Sequence, residues 1–189
     1  MTSPTPQRSL STRVLLVCAA LAAVHVLLHL ATVGVLTVLA PLSPPLYGLA
    51  AGLHSILPFL ARRLTATPGT ATITAGVASV FISATSPSGA ILIVPLLLAG
   101  ATIDLVVWRA DRHGSTRSSE ARYLIAAVVA GTVLFAVSLS VFSPEHLTPL
   151  LIVGTLICRI LGELAAAIIS LIIARALRRA GVGRSRRRD

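Results

Sequence analysis

The chain has 189 residues, 55% of them hydrophobic and 12% charged, with a mean hydropathy of +0.91. A soluble domain carries about 25% charged residues, so composition excludes an ordinary water-soluble fold. The net charge of +10 rests on 16 basic residues, all arginine; they fall in separate clusters, which argues against one continuous nucleic-acid-binding face.

Residues 1–12 are polar and rich in Pro, Ser and Thr, the composition of a disordered cytoplasmic N-terminus. The first apolar run, Val14 to Leu39, far exceeds the about 7–15 residues of a signal-peptide core. It is long enough for a transmembrane helix, which needs about 20 residues. Pro41, Pro44 and Pro45 are expected to break the chain beyond it. A second span follows from about Tyr47 to Leu60, kinked at Pro58 and ended by Arg62–Arg63. Thr67-Pro68 has the form of a helix start, Thr as cap and Pro at the first helical position. It opens a short third span, Gly69 to Ala84. Ser86-Pro87-Ser88-Gly89 is a turn. The fourth span is Ala90 to Trp108, with Pro95 inside and Trp108 beside Arg109 as an interfacial anchor. Residues 109–122 form the largest inner loop. Tyr123 to Phe142 is the fifth span, Ser143-Pro144-Glu145-His146 the next turn, and Leu147 to about Leu177 the sixth span.

The arginines alternate between the two ends of these runs. Arg8 and Arg13, Arg62 and Arg63, Arg109 to Arg122, and Arg175 to Arg188 lie at one end; the turns at 41–46, 85–88 and 143–146 have none. Positive charge marks the cytoplasmic side. The fold class is therefore an all-α membrane protein: six transmembrane helices in one compact bundle over 13–180, both termini inside, with a basic cytoplasmic tail at 181–189. The clusters suit contact with anionic lipid headgroups. The absence of Lys points to a GC-rich genome and so to a multi-pass protein of a bacterial plasma membrane.

Few residues within the spans are ionisable. Arg159 and Glu163 stand four apart on the sixth span, share a face and can pair. Charges at membrane depth face the bundle interior or a cavity, so the pair is either a helix clamp or the floor of a polar pocket. Asp104, at the inner end of the fourth span, is expected to pair with Arg159 or with an interfacial arginine such as Arg109. His25 and His29 are likewise four apart, and His54 lies mid-span in the second helix. They are either hydrogen-bonded core histidines or, with a third ligand from the next helix, a metal or substrate contact. Small residues recur every fourth position at Ala19 and Ala23, at Gly48 and Gly52, and at Gly162, Ala166 and Ser170. Such stripes let helices approach closely, within the bundle or against another subunit. Cys18 and Cys158 lie in apolar runs and read as small core hydrophobes. No phosphate-binding loop, nucleophile elbow or zinc spacing is present, and no cofactor or metal is assigned.

Three stretches resemble a known family, the substrate-binding S components of energy-coupling factor (ECF) transporters. "STRVLLVCAALAAV" is similar to the family's opening helix, and its Ala19-xxx-Ala23 matches the loose pattern by which that helix docks the transmembrane T subunit. "TATPGTATITAGVASVFIS" resembles the start of the third helix in the hydroxymethylpyrimidine/thiamine-related branch, and "LLLAGATIDLVVW" that branch's fourth helix. The family's metal-binding branch opens on a Met-x-His element, which "MTSPTPQ" lacks. The resemblance covers roughly 11–182. It implies a non-enzymatic subunit that captures a vitamin-like ligand near the outer face and works with a T subunit and two ATPase subunits.

On that resemblance the expected ligand is a pyrimidine or thiamine precursor. The expected contacts are Tyr47, Ser86, Ser138, His146, Arg159 and Glu163, and the docking face is Ala19 and Ala23. Two other readings remain: a small intramembrane enzyme using Asp104, Glu163 and the histidines, and a membrane scaffold without a polar cavity.

Overall fold

The computed structural model describes residues 10–86, 89–108, 116–140 and 148–181, all in helices and the short turns that join them. Helix α1 (Thr12–Leu42) is 31 residues long, capped by the Ser11 hydroxyl, which accepts from the Val14 N–H. Pro41 does not stop it. Its missing N–H leaves the Thr37 carbonyl without an intrahelical donor, a single loss one residue from the helix end, and the Ser43 N–H closes the helix by donating to the Leu39 carbonyl. Ser43 alone joins α1 to α2 (Pro44–Ala51), where both prolines occupy the first two positions and forfeit no bond.

The second span is α2, a 3₁₀ turn over Gly52–Ser55, and α3 (Ile56–Thr65) end to end. Pro58 accounts for the interruption, displaced upstream from the proline itself. Its ring excludes the carbonyl of His54 and offers it no N–H, so the backbone before it winds tighter. The third span, α4 (Thr70–Thr85), has 16 residues. It starts later than Thr67-Pro68 suggests, because Gly69 takes the left-handed conformation (φ 89°) and becomes the cap. Thr67 instead serves the turn, its carbonyl accepting from the Thr70 hydroxyl at 2.8 Å.

A 3₁₀ turn at Gly89–Leu92 leads into α5 (Ile93–Val107), so Pro95 falls in the first turn, where it is tolerated. Helix α6 (Thr116–Leu139) begins well before the expected Tyr123, and α7 (Pro149–Arg179) has 31 residues with Pro149 at its first position. Six spans result, with the starts of α1 and α4 and the end of α7 at one end of the bundle. There the Cys18 thiol faces the Thr70 carbonyl, and Arg178 donates to the carbonyl of Arg63. The outer faces are apolar: Leu16, Leu27, Leu105, Leu150 and Ile172 are all exposed. Four helices are long and apolar enough to cross a membrane, and lipid is the solvent that makes such a surface stable.

The inner faces are lined by small residues. Helices α4 and α5, α2 and α7, and α6 and α7 make the broadest contacts. A Cβ on Gly52 would stand 2.4 Å from the carbonyl carbon of Gly162, and one on Gly100 2.7 Å from the Ala71 oxygen. Gly48, Gly52, Gly162, Ala166 and Ser170 thus serve packing within the chain. Phe59, Ile103, Val107, Ala126 and Ala167 fill the main core, while Ala22, Ala78, Ile82 and Leu96 form a second one against α1.

Candidate functional site

Two polar centres lie inside this apolar bundle, and a third group of expected site residues lies scattered at one end. The first is at mid-depth, where α1, the 3₁₀ turn and α7 meet. One helical turn on α7 aligns Arg159 and Glu163, and Arg159 Nη2 stands 3.2 Å from Glu163 Oε1. Glu163 is fully buried and Arg159 nearly so. Ser55 sits beside the Glu163 carboxylate, and Arg159 is close enough to His54 to act on it electrostatically. One turn of α1 likewise aligns the buried His25 and His29. The tightened backbone before Pro58 brings His54 against them. His29 Nδ1 is 3.4 Å from His54 Nε2, and the His25 and His29 rings lie 5.5 and 5.3 Å from the His54 ring. The two sequence pairs therefore converge through His54. Thr155, a turn before Arg159, adds a buried hydroxyl without a protein partner.

The second centre is at the arginine-rich end. Asp104 pairs with an interfacial arginine, Arg62, rather than with Arg159; Arg109 lies outside the described residues. Asp104 Oδ1 is 3.4 Å from Nε of the fully buried Arg62, and its Oδ2 accepts from the Thr72 N–H and hydroxyl, both at 2.8 Å. Arg63 is buried beside it. It reaches Glu120 at 2.9 Å, the Ser170 hydroxyl at 3.0 Å and the Ala167 carbonyl, with its guanidinium 3.8 Å over the Tyr123 ring. In sequence these two arginines mark a membrane boundary; in the fold they staple α3 to α5, α6 and α7. No spacing rule foreshadows those partners, which are separated by tens of residues.

The third set lies at the opposite end. Tyr47 is half-buried on α2, Ser86 caps α4 and Ser138 is near the end of α6. They stand on three different spans. The Ser138 hydroxyl is used on its own helix, donating to the Leu134 carbonyl at 2.8 Å. His146 lies outside the described residues. Of the expected ligand contacts, the structure joins Arg159 to Glu163.

On α1 the expected docking pair, Ala19 and Ala23, is exposed, one turn apart, between the outward-facing Leu16 and Leu27. Cys18 and Ala22 on the other side are buried against the bundle. The two carboxylates that an intramembrane enzyme would combine go to separate partners, Asp104 to Arg62 and Glu163 to Arg159.

No family model and no curated protein matches the chain. Its fold is that of a crystal structure described as an S-component of an ECF transporter. The TM-score is 0.80 at 21% identity, over 92% of this chain and 88% of the other. The shared fold is the six-span helical bundle.

Proposed function

We propose that this chain is the substrate-binding S component of an ECF-type importer. It captures a small water-soluble micronutrient at the outer face of a bacterial plasma membrane and has no catalytic role of its own. The observation that carries this is the fold: the likeness to an S component spans 92% of the chain at a TM-score of 0.80. The arginine pattern sets both termini inside, so the Tyr47, Ser86 and Ser138 end faces out. There the ligand enters, with His146 among its contacts and Arg159 and Glu163 below them as the polar floor. A pyrimidine or thiamine precursor is the ligand class.

The T subunit, and through it two ATPase subunits, docks on the α1 face at Ala19 and Ala23. Exposed small side chains let a second helix backbone approach closely, and the histidines on the opposite side of α1 stay within the subunit.

Purification in detergent followed by mass spectrometry of any retained small molecule tests the reading. A stoichiometric pyrimidine or thiamine-like compound, rebinding on titration, is the expected result. Failure of hydroxymethylpyrimidine, thiamine and other vitamins alike to bind the purified chain would remove the transport assignment.

A further inference from the structure

We infer that the arginine-rich end of the bundle holds a site for one anionic phospholipid of the cytoplasmic leaflet, gripped by its phosphodiester between α3, α6 and α7. The inference stands apart from the transport reading, since it needs only the fold and its orientation in the bilayer.

A cavity of about 200 Å³ lies where the end of α3, the first turns of α6 and the last turns of α7 meet. Arg63, Arg178, Ser119 and Glu120 supply its polar wall, Leu171 and Ala174 an apolar one. The charges there do not cancel. Arg63 is fully engaged within the protein, with Glu120 at 2.9 Å, the Ser170 hydroxyl at 3.0 Å and the Ala167 carbonyl. That pair neutralises Glu120. Among the described residues no carboxylate pairs with Arg178. Its Nη2 donates to the Arg63 carbonyl at 2.6 Å, which fixes the guanidinium at the cavity and leaves the rest of its donor fork to a ligand. The cavity therefore presents one uncompensated positive charge. A phosphodiester carries one negative charge and accepts in the geometry that a guanidinium offers. Ser119 adds a hydroxyl near the start of α6, where the helix dipole also favours an anion.

The surroundings favour a lipid over a free phosphate compound. Arg178 is exposed and the Glu120 side chain is 38% exposed, so the cavity is reached from outside the bundle. One turn deeper on the two flanking helices, on the faces of Glu120 and Leu171, stand the exposed Leu124 and Ile168. An acyl chain lying along them places its own phosphate at the level of Arg178. A soluble phosphate leaves that apolar track unused.

The test uses the full chain in detergent, titrated separately with dioleoyl phosphatidylglycerol, dioleoyl phosphatidylcholine and glycerol phosphate, and read by native mass spectrometry. One phosphatidylglycerol per chain, bound more tightly than phosphatidylcholine, is expected. Arg178→Gln should weaken it at least about 10-fold, as for a lost hydrogen bond to a charged group. Ser119→Leu intrudes on the cavity without altering charge and should weaken it too. Arg175→Gln removes an exposed arginine of the same helix that does not line the cavity. At physiological ionic strength it should change binding no more than about 2-fold, because screening weakens a charge that makes no contact. Equal affinity for the two lipids, or equal losses in Arg178→Gln and Arg175→Gln, would overturn the site in favour of diffuse attraction. Displacement of the lipid by equimolar glycerol phosphate would overturn the lipid as occupant. Should Arg178→Gln fail to fold, Ser119→Leu set against Arg175→Gln decides. Vitamin binding by the same preparations is a separate readout, so loss of this inference leaves the transport reading intact.

Discussion

At the scale of single residues, the bundle depends on charges that lipid would otherwise expel. Asp104 faces a fully buried arginine and also holds the start of α4 through Thr72. Removing one partner of a buried pair costs about 3–5 kcal/mol, because the remaining charge keeps its desolvation penalty. Asp104→Asn should therefore lower the thermal midpoint in detergent by an amount equivalent to about 3 kcal/mol. Glu120→Gln is the contrast. Its carboxylate is 38% exposed, so the same charge change should cost about 1 kcal/mol or less. For Arg159 and Glu163, Glu163→Gln alone should destabilise more than the double replacement Arg159→Met plus Glu163→Leu, which removes both charges. That pair was legible in the sequence because both members sit on one helix, where spacing alone decides who meets whom. For Asp104 the sequence offered an interfacial arginine as one choice, but not which one. Arg62 is reached only after α3 and α5 are laid side by side, and periodicity along one helix says nothing of that.

At the scale of elements, glycine decides how close the helices come. Gly52 and Gly162 meet backbone to backbone, and a methyl group on either has nowhere to go. Gly52→Ala should cost about 1–3 kcal/mol as overpacking, read as a lower melting midpoint, and should loosen α2 from α7. Gly34→Ala, with open space around its Cβ, should be neutral or slightly stabilising. The number of spans and their order were readable from apolar length and arginine placement. Their ends were less so. Thr67-Pro68 has the composition of a helix start, yet Gly69 adopts the left-handed turn that only glycine enters without strain, and so the helix begins at Thr70. The tightened turn at Gly52–Ser55 follows from Pro58 by simple sterics, but its effect of bringing His54 to the α1 histidines required the third dimension.

At the scale of the whole molecule, the two sides of α1 have different surroundings. Its buried side holds His25 and His29, its exposed side Ala19 and Ala23. On the proposed function, replacing both alanines, Ala19→Leu plus Ala23→Leu, should abolish uptake in cells or proteoliposomes containing the proposed T and ATPase subunits while ligand binding by the purified chain is unchanged. Retained uptake would remove α1 as the docking face. The exposed apolar girdle tolerates leucine, so the variant is expected to fold.

The spans are unequal in height. Helix α4, with 16 residues, rises about 24 Å, while α1 and α7, with 31 each, rise about 46 Å. A hydrocarbon layer about 30 Å thick is too tall for the first and too short for the others. Val77, Val80 and Phe81 are the exposed large apolar side chains of α4, so acyl chains must shorten or splay where they meet it, while the long helices lean. Each such mismatch costs a fraction of a kcal/mol per Å. The protein thus pulls the bilayer out of shape on one flank, and any rotation in the plane normal would relax or sharpen that dimple. Its thermal stability should follow acyl-chain length in reconstituted vesicles, and so should the uptake rate on the proposed function, with lipid elasticity setting part of the cost of every tilt.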